Sequence, residues 1–489
     1  NIVNHFMSLE SLSEKIINKT IKSGATACDV VIAEGASKSI SYRLGKIEDI
    51  DDSNGKTFGI RALIANKQAF ISSSDLNEEN INKLVDKVVQ MAKLAPEDDM
   101  ACLGDKSLFE TQFEHLDLAQ KEDTKTEKLI DMVKECEDAA LSQKGITNSE
   151  GAGASFSSGE FFLATSNGFH GGYKSSSNSI SCSVLAGEGQ SMERDYDYAV
   201  SRHIEDLSEP KEIGISSALK TLQRLNPKKI KSCKTSVIFD KRISDDLIGY
   251  LSSAVSGTSI ARETSFLKDS LNQQIFNKDI SIIDNPKIIR GLGSRPFDGE
   301  GIKTNEKEII SNGVLKTWLL NTSTAKKLNL KTTGHASRGV GSPPGISTSN
   351  LYMTNGIYSY DDLISDIKSG FYATELIGMG VNLITGDYSM GASGMWIENG
   401  EIQYAVSEVT IASNLKDMFL NLSAANDLEF KYKTNAPTIR VDGMTDRFVV
   451  KLVTANFEGW CGTAIARIRG IIFYPSNLRI PHNLVFWNL

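Results

Sequence analysis

The most informative stretch of the chain is residues 378–400, GMGVNLITGDYSMGASGMWIENG. It interleaves six glycines with apolar residues and ends in an Asn-Gly pair, which is a strong signal for a hairpin turn. Because glycine has no Cβ, a backbone rich in glycine can approach a ligand or another strand closely. From spacing alone, we favour a bulged, tightly packed sheet over a ligand-binding loop.

The residues around this stretch predict a β-rich second half with antiparallel strands. Asn-Gly pairs at 312–313 and 399–400 each lie between β-type runs, and both predict hairpins. A short buried strand at 236–239 is followed by a helix over about 243–255. We therefore predict a β-rich C-terminal domain over residues 227–445 with a few helices.

The first half predicts an N-terminal α+β domain over residues 8–226. It opens with an amphipathic helix at 8–23, followed by an antiparallel meander whose first turn is assigned to Asn54-Gly55. A second helix is expected to be capped by Ser74 or Asp75 and to end at Pro96. The remaining elements are predicted helices at 123–142 and 209–225, and long paired strands within 151–191. The fold class is α+β.

Both ends of the chain look different from the rest. The first methionine is Met7 and opens a good helix, so we interpret residues 1–7 as a non-native leader. Residues 446–489 change composition and hold two of the four tryptophans. We interpret them as a read-through product, a frameshifted reading or an unusual extension, and favour an artefact or a poorly ordered appendage over a functional module.

Composition excludes several functional classes. The net charge of −8 disfavours a protein that coats DNA, because phosphate backbones repel it on average. No apolar run reaches the length of a membrane span. Six scattered cysteines without a Cys-x-x-Cys pair indicate a reducing compartment and no structural zinc motif. We expect a cytoplasmic protein with no direct nucleic-acid or membrane partner.

Motifs for catalysis are scarce. The nucleotide-binding loop, the serine-hydrolase elbow and the His-Glu-x-x-His helix are all absent. Ser323 and Lys326 match Ser-x-x-Lys, but a capped helix starting near Thr322 is the favoured interpretation. His335, in a Gly/Ser/Arg loop, is the most site-like of six isolated histidines. Three acidic residues flank the start of the helix predicted over about 243–255, and we interpret them as residues that cap this helix: Asp240, Asp245 and Asp246.

Three stretches resemble the TldD/PmbA family, whose members are described as peptidases and as modulators of DNA gyrase. They are Gly386-Asp387-Tyr388-Ser389 through to Ala412, Pro296-Phe297-Asp298-Gly299-Glu300-Gly301 with the following Gly313–Leu320, and Ser323–Leu328 leading to His335. These motifs occur in the family's order. With the N-terminal helix and meander, the resemblance covers about residues 8–445.

The resemblance implies which of two family types is present. The TldD type binds catalytic zinc through a His-Glu-x-x-x-His helix and a later cysteine, whereas the PmbA or TldE type lacks these ligands and pairs with TldD. The corresponding helix here follows the strand at 236–239, and residues 240–250 read DKRISDDLIGY without histidine. The resemblance therefore implies no metal or catalytic residue on this chain, and zinc held by a TldD-like partner in a heterodimer. A homodimer is the alternative.

Three hypotheses of function follow. The first is a zinc-less, non-catalytic subunit of a metalloprotease complex that cleaves unfolded or short peptides. Its candidate cavity-lining residues are Thr385, Gly386, Asp387, Tyr388, Ser389, Gly391 and His335. The second is a regulator or adaptor that binds DNA gyrase or toxin-antitoxin proteins without proteolysis. The third is an autonomous peptidase that uses Ser389, Asp387 or His335.

Overall fold

The computed structural model describes residues 8–448. The interpretations of residues 1–7 and of 449–489 concern segments outside this range. The last described strand runs through residue 448 and therefore includes the first three residues of the segment assigned to the tail. Within residues 8–448, no helix combines the length and the apolar character needed to cross a bilayer.

The first half is built on a six-stranded, fully antiparallel sheet with strand order β3-β2-β1-β4-β5-β6. Its strands are β1 (Ala27–Arg43), β2 (Lys46–Ile64), β3 (Lys67–Ser73), β4 (Ile146–Thr165), β5 (His170–Ala186) and β6 (Glu193–Ser201). Its helices are α1 (Leu9–Lys22), α2 (Glu78–Leu94), α3 (Thr126–Leu141) and α4 (Pro210–Gln223). The predicted α+β class, opening helix, meander and long paired strands are confirmed.

The helices cover one face of this sheet because each has an apolar stripe. Helices α1 and α2 pack on the β1–β3 side around Ile16 and Val88. Helices α3 and α4 pack on the β4–β6 side around Val133 and Ala218. A separate apolar cluster joins the sheet to the second half of the chain through Phe297 and Val340.

The first hairpin turn lies ten residues before the position predicted for it. Asn54 and Gly55 pair with Ala36 and Gly35 inside the β1–β2 ladder, so the Asn-Gly prediction is wrong here. The turn is at residues 44–45, both with positive φ (48° and 80°), as a type I′ turn requires. The buried carboxylate of Glu137 on α3 accepts hydrogen bonds from both turn amides, at 3.0 and 3.3 Å. This tertiary contact and the two-sided pairing of β1 override the local signal.

A second correction concerns the start of α2. The N-cap is Asn77, whose side chain accepts from the amide of Asn80 at 2.7 Å, and not Ser74 or Asp75. Asp75 stabilises the turn before the helix, because its carboxylate accepts a hydrogen bond from the amide of Asn77 at 3.0 Å. The helix ends before Pro96 as predicted.

The second half contains two larger sheets and five short helices in the described range. The strands are β7 (Cys233–Phe239), β8 (Ile282–Asn285), β9 (Lys307–Ser311), β10 (Val314–Leu315), β11 (Ala336–Ser337), β12 (Gly345–Ile346), β13 (Asn350–Met353), β14 (Ser369–Ile377), β15 (Asp387–Glu398), β16 (Glu401–Asn414), β17 (Leu422–Ala424), β18 (Thr434–Asn435) and β19 (Ile439–Phe448). The helices are α5 (Asp245–Ala254), α6 (Gly257–Ala261), α7 (Thr322–Lys327), α8 (Tyr360–Ser365) and α9 (Leu415–Leu420).

One of these sheets closes on itself. Its order is β16-β15-β14-β7-β19-β17, and β16 also pairs with β19, so five strands form a ring. The β7–β14 pair, like β13–β18 in the other sheet, is parallel, so the second half is mainly rather than wholly antiparallel. Both predicted Asn-Gly hairpins are present, and α7 begins at Thr322 with Asn321 in a capping box.

Candidate functional site

The loop that follows β7 sets the position of α5, the helix to which the resemblance assigns the lost zinc ligands. Asp240, directly after β7, accepts hydrogen bonds from the amide of Arg242 at 2.9 Å and the hydroxyl of Tyr372 at 2.6 Å. The chain then turns into α5, which buries Leu247 and Leu251 against the core of the second half. The residues of α5 that do not pack into this core form the candidate site.

Two carboxylates and one phenol of α5 lie outside this core: Asp246 and Tyr250 share one face, whereas Asp245 lies near Tyr198 and Tyr432. Asp245 and Asp246 lie in the first turn, and Tyr250 lies one turn further on. Burial, and then the charge of Asp246, raises the pKa of Asp245 to about 7. The Tyr250 ring lies 6.2 Å from that of Tyr388, edge to face.

These residues do not fit a zinc ion. Zinc in proteins is held by thiolate, imidazole and ionised carboxylate ligands, and α5 supplies neither of the first two. Across residues 8–448, no three His, Cys, Asp or Glu side chains are grouped so that they could hold a metal ion.

The glycine-rich stretch reaches this site through Tyr388, near the start of β15. Tyr388 is 1% exposed, and its hydroxyl has no hydrogen-bond partner among the described residues. Burial, followed by the charges of Tyr250 and Asp246, raises the pKa of Tyr388 well above its usual range. The structure therefore brings together the two regions that the sequence singled out, and the contact between them consists of neutral rings.

The glycines of this stretch permit close contact between backbones. A Cβ on Gly394 would lie 1.9 Å from the carbonyl oxygen of Tyr372 on β14, and one on Gly380 would lie 1.6 Å from that of Ser389. The pairings of β15 with β14 and β16 both contain register shifts. The favoured interpretation of a bulged, tightly packed sheet is confirmed.

The candidate lining residues divide into exposed and buried positions. Thr385, Asp387 and Ser389 are exposed, whereas Gly386 and Tyr388 are buried and Gly391 is partly buried. The hydroxyl of Thr385 donates to Asp387 at 2.6 Å, and this bond and a second one from Asn414 lower the pKa of the Asp387 carboxyl. Asp387 therefore remains ionised on the exposed face of β15.

An exposed apolar surface lies beside these residues, and sequence reasoning did not identify it. Ile377, Met379 and Ile384, in the β14–β15 loop region, are 56%, 98% and 61% exposed. The sequence signal for this surface was the presence of isolated apolar residues in a glycine-rich loop, because such residues do not pack into a core.

His335 occupies a different and buried environment. It is 2% exposed, contacts Asp284 at 3.2 Å through Nε2, and its Nδ1 lies 2.7 Å from the Thr333 hydroxyl. Burial lowers the pKa of His335 although Asp284 opposes this effect, so the ring is neutral near pH 7. Its side-chain partners include neither Ser389 nor Asp387, the other residues of the autonomous-peptidase hypothesis.

Comparison with known protein families gives three consecutive matches. The PmbA/TldA metallopeptidase domain 1 matches residues 28–92, the central domain matches 120–225, and the C-terminal domain matches 232–446. Together these segments span most of the described chain.

Individual relatives cover nearly the whole fold. The metalloprotease PmbA of Escherichia coli O157:H7 is 38% identical over 403 residues, which are 82% of this chain and 88% of that protein. A PmbA homologue from Haemophilus influenzae is 37% identical over 86% of this chain and 92% of its own length. A candidate modulator of DNA gyrase from Bacteroides thetaiotaomicron superposes with a TM-score of 0.83 at 26% identity, covering 90% of this chain and 99% of its own. TldE from Thermococcus kodakarensis shares the fold, with a TM-score of 0.78 at 20% identity over 89% of this chain and 100% of its own.

Proposed function

Because the chain belongs to the PmbA/TldD metallopeptidase family, we propose that it is the zinc-less, non-catalytic subunit of a metalloprotease complex. A TldD-like partner supplies the zinc, and the complex cleaves unfolded or short peptides. We place it in the cytoplasm, because the five cysteines of the described range are free thiols, as is usual in a reducing compartment.

The observation that carries this proposal is the donor set of α5. A zinc hydrolase needs ligands that are deprotonated at working pH and an activated water. Here the corresponding turn of α5 offers the carboxylates of Asp245 and Asp246, and no imidazole or thiolate of the described residues joins them in a metal-binding group. The residues present support a binding role and not a hydrolytic one.

The exposed face at the start of β15 supports a role in enclosing a peptide. Thr385, Asp387 and Ser389 offer hydroxyl and carboxylate groups at this surface, and we retain them as candidate cavity-lining residues. The adjoining apolar side chains, Met379 above all, would be covered by the partner subunit.

The test measures zinc content and peptide cleavage for the full chain, alone and mixed with the TldD-like chain from the same source. We expect no bound zinc and no cleavage alone, and chelator-sensitive cleavage in the mixture. One equivalent of zinc with cleavage by the chain alone would refute the proposal.

A pair of variants tests the contact surface. Met379→Ser should weaken association with the TldD-like chain at least tenfold, measured by analytical ultracentrifugation. Leu94→Ser on α2 is the matched control, because Leu94 is 86% exposed and far along the sequence from the β14–β15 loop. Equal association for both variants would remove the loop from the interface.

A second candidate function is suggested by the description of the Bacteroides structure as a candidate modulator of DNA gyrase. An adaptor of this kind would bind gyrase when no TldD-like chain is present. We expect no such binding when purified gyrase and this chain are mixed alone. A stable complex under those conditions would favour the adaptor over the protease subunit.

A further inference from the structure

A cleft between the two halves of the chain has no role in the proposed function so far. It encloses about 360 Å³, which is within the range of small-ligand sites. One wall is the end of β6, the last strand of the first sheet, and the other comes from two loops of the second half. The lining residues used below are Tyr198, Arg202, Leu292, Phe430, Lys431 and Tyr432.

Arg202 gives this cleft a buried positive charge with no counter-charge. Its side chain donates to the carbonyl oxygens of Ser176, Gly291 and Leu292, at 3.2, 3.4 and 2.5 Å, and the residue is 9% exposed. Within residues 8–448 no carboxylate pairs with it. Carbonyl dipoles satisfy its donors but leave its charge uncompensated, which is costly at a buried position.

The other cations on the cleft wall show the contrast. Arg290 pairs with three carboxylates at 2.6–3.1 Å: Asp117, Glu205 and Asp206. Lys431 pairs with Glu429 at 2.6 Å. Arg202 is therefore the wall cation that the described part of the chain leaves without an acidic partner.

Lys433 adds a second cation next to Arg202. Its Cγ lies 2.9 Å from the position of a Cβ on Gly293, so it packs against the glycine loop to which Arg202 also bonds. Across the described range, its ammonium has no hydrogen bond or ion pair. Burial and then the charge of Arg295 lower the pKa of Lys433 to about 8, so it stays mostly protonated near pH 7.

The buried guanidinium of Arg295 lies near Lys433 but is not among the residues that line the cleft. Its two terminal nitrogens donate to the carbonyls of Ala336 and Ser347, at 3.0 Å each, and its buried Nε has no partner in residues 8–448. Asp284 attracts both Lys433 and Arg295 and offsets part of their charge, because the His335 ring that it contacts at 3.2 Å is neutral.

Asp197 and Asp206 also lie on the cleft wall, where they pair with Lys220 and Arg290. The charge of the wall that is complementary to an anion is therefore that of Arg202.

Exposed rings line the mouth of the cleft. Tyr198 stacks on Tyr432 with centroids 5.0 Å apart and is 39% exposed. Phe430 and Ile289 are 58% and 59% exposed. A ligand with an anionic end and an apolar side chain therefore finds both of its groups matched here.

We propose that this cleft binds the C-terminal carboxylate of a short or unfolded peptide, with Arg202 facing the carboxylate, Lys433 adding positive charge from behind the glycine loop, and Tyr198 and Phe430 contacting the last side chain. The assignment of a peptide rests on the proposed function, whereas the charge of the cleft does not. The site has no hydrolytic group of its own and serves to hold one end of a substrate.

The test compares two peptides that differ by one group. A hexapeptide ending in leucine, dye-labelled at its N-terminus, is titrated with the full chain as the free acid and as the C-terminal amide, by fluorescence anisotropy. We expect the amide to bind at least tenfold more weakly than the acid. Equal binding of the two peptides, or no binding of either, would overturn the proposal.

Matched variants locate the effect. Lys433→Met should reduce the acid-to-amide ratio to about twofold or less, whereas Lys83→Met, which removes an exposed cation paired with Glu79 on α2, should leave it unchanged. Phe430→Ser should weaken both peptides equally. Thermal melts identify any variant that fails to fold; if Lys433→Met fails, Lys433→Gln takes its place, and a folded variant that keeps the full ratio would refute the assignment.

Two further outcomes separate the alternatives. If inorganic phosphate at equal concentration displaces the peptide as well as a non-labelled free-acid competitor does, the cleft is a general anion site and the peptide assignment is wrong. Failure of the mixed complex to cleave peptides would refute the proposed function. The acid-to-amide ratio is measured on the isolated chain, so it tests the cleft independently of that result.

Discussion

Replacement of Tyr388 by phenylalanine should stabilise the protein, although Tyr388 is a large residue in the core of the second half. The ring is 1% exposed, and the hydroxyl has no partner in the described structure. Burying a hydroxyl without a hydrogen bond costs about 1–3 kcal/mol in protein mutational data. Tyr388→Phe keeps the ring and its packing against Tyr250, and removes only the unpaired group.

The expected gain is about 1 kcal/mol in the free energy of unfolding, or a rise of roughly 1–2 °C in Tm for a chain of this length. Tyr372→Phe is the matched control with the opposite sign. Tyr372 is 8% exposed, and its hydroxyl donates to the Asp240 carboxylate at 2.6 Å. A hydrogen bond to a charged group contributes about 1.5–3 kcal/mol, so this variant should lose about 2 kcal/mol.

Urea unfolding followed by tryptophan fluorescence measures both changes, because buried Trp396 lies on the same strand as Tyr388. The reasoning would be refuted if Tyr388→Phe lost 1 kcal/mol or more while Tyr372→Phe behaved as expected. The Tyr388 hydroxyl would then have a partner, and its place beside α5 would make that partner a candidate ligand of the site.

Three further predictions follow from local geometry. Gly45→Ala should lose about 1 kcal/mol or more, because φ is 80° there, whereas Gly55→Ala, in open space within a strand, should be neutral or better in the same urea titration. Gly394→Ala should lose over 2 kcal/mol, since its Cβ would lie 1.9 Å from a carbonyl oxygen, while Gly249→Ala, unobstructed inside α5, should gain up to about 1 kcal/mol. Burial raises the pKa of Asp245 to about 7, so the native state binds a proton that the unfolded chain releases above about pH 4. The free energy of unfolding should therefore fall as pH rises from 4 to 8, and Asp245→Asn should make that fall shallower.

Local sequence patterns predicted most of the helices and turns correctly, because the tertiary contacts of these elements agree with the local pattern. The helix at 8–23 and both Asn-Gly turns of the second half agree with the structure to within a few residues. The Asn-Gly pair at 54–55 failed because register in a long hairpin is set by the whole ladder and by the neighbouring strand. Glu137 on α3, more than ninety positions away in sequence, fixes the real turn, and no local pattern contains that contact.

The candidate site was only partly accessible to sequence reasoning for a similar reason. The glycine-rich stretch could be identified from composition, but its contact with α5 depends on how the ring of strands closes. Burial of His335 beside Asp284 depends on a pairing between residues 51 positions apart, and an isolated loop histidine gives no sign of it. The lack of an acidic partner for Arg202 could not be predicted from sequence either, because it depends on which carboxylates lie near Arg202 in the folded chain.

The distribution of charge and exposure favours a division of labour between this chain and a partner. At α5, where the resemblance places the zinc ligands of the TldD type, burial raises the pKa of Asp245 to about 7 and that of the nearby Tyr388 well above its usual range. The groups that remain charged or exposed lie elsewhere: Asp387 on the face of β15, and Arg202 in the cleft beside β6. Charged and exposed groups can bind a peptide, whereas hydrolysis of its peptide bond needs an activated water. This distribution among residues 8–448 supports the proposal that another subunit performs the chemistry and that this chain contributes binding surface.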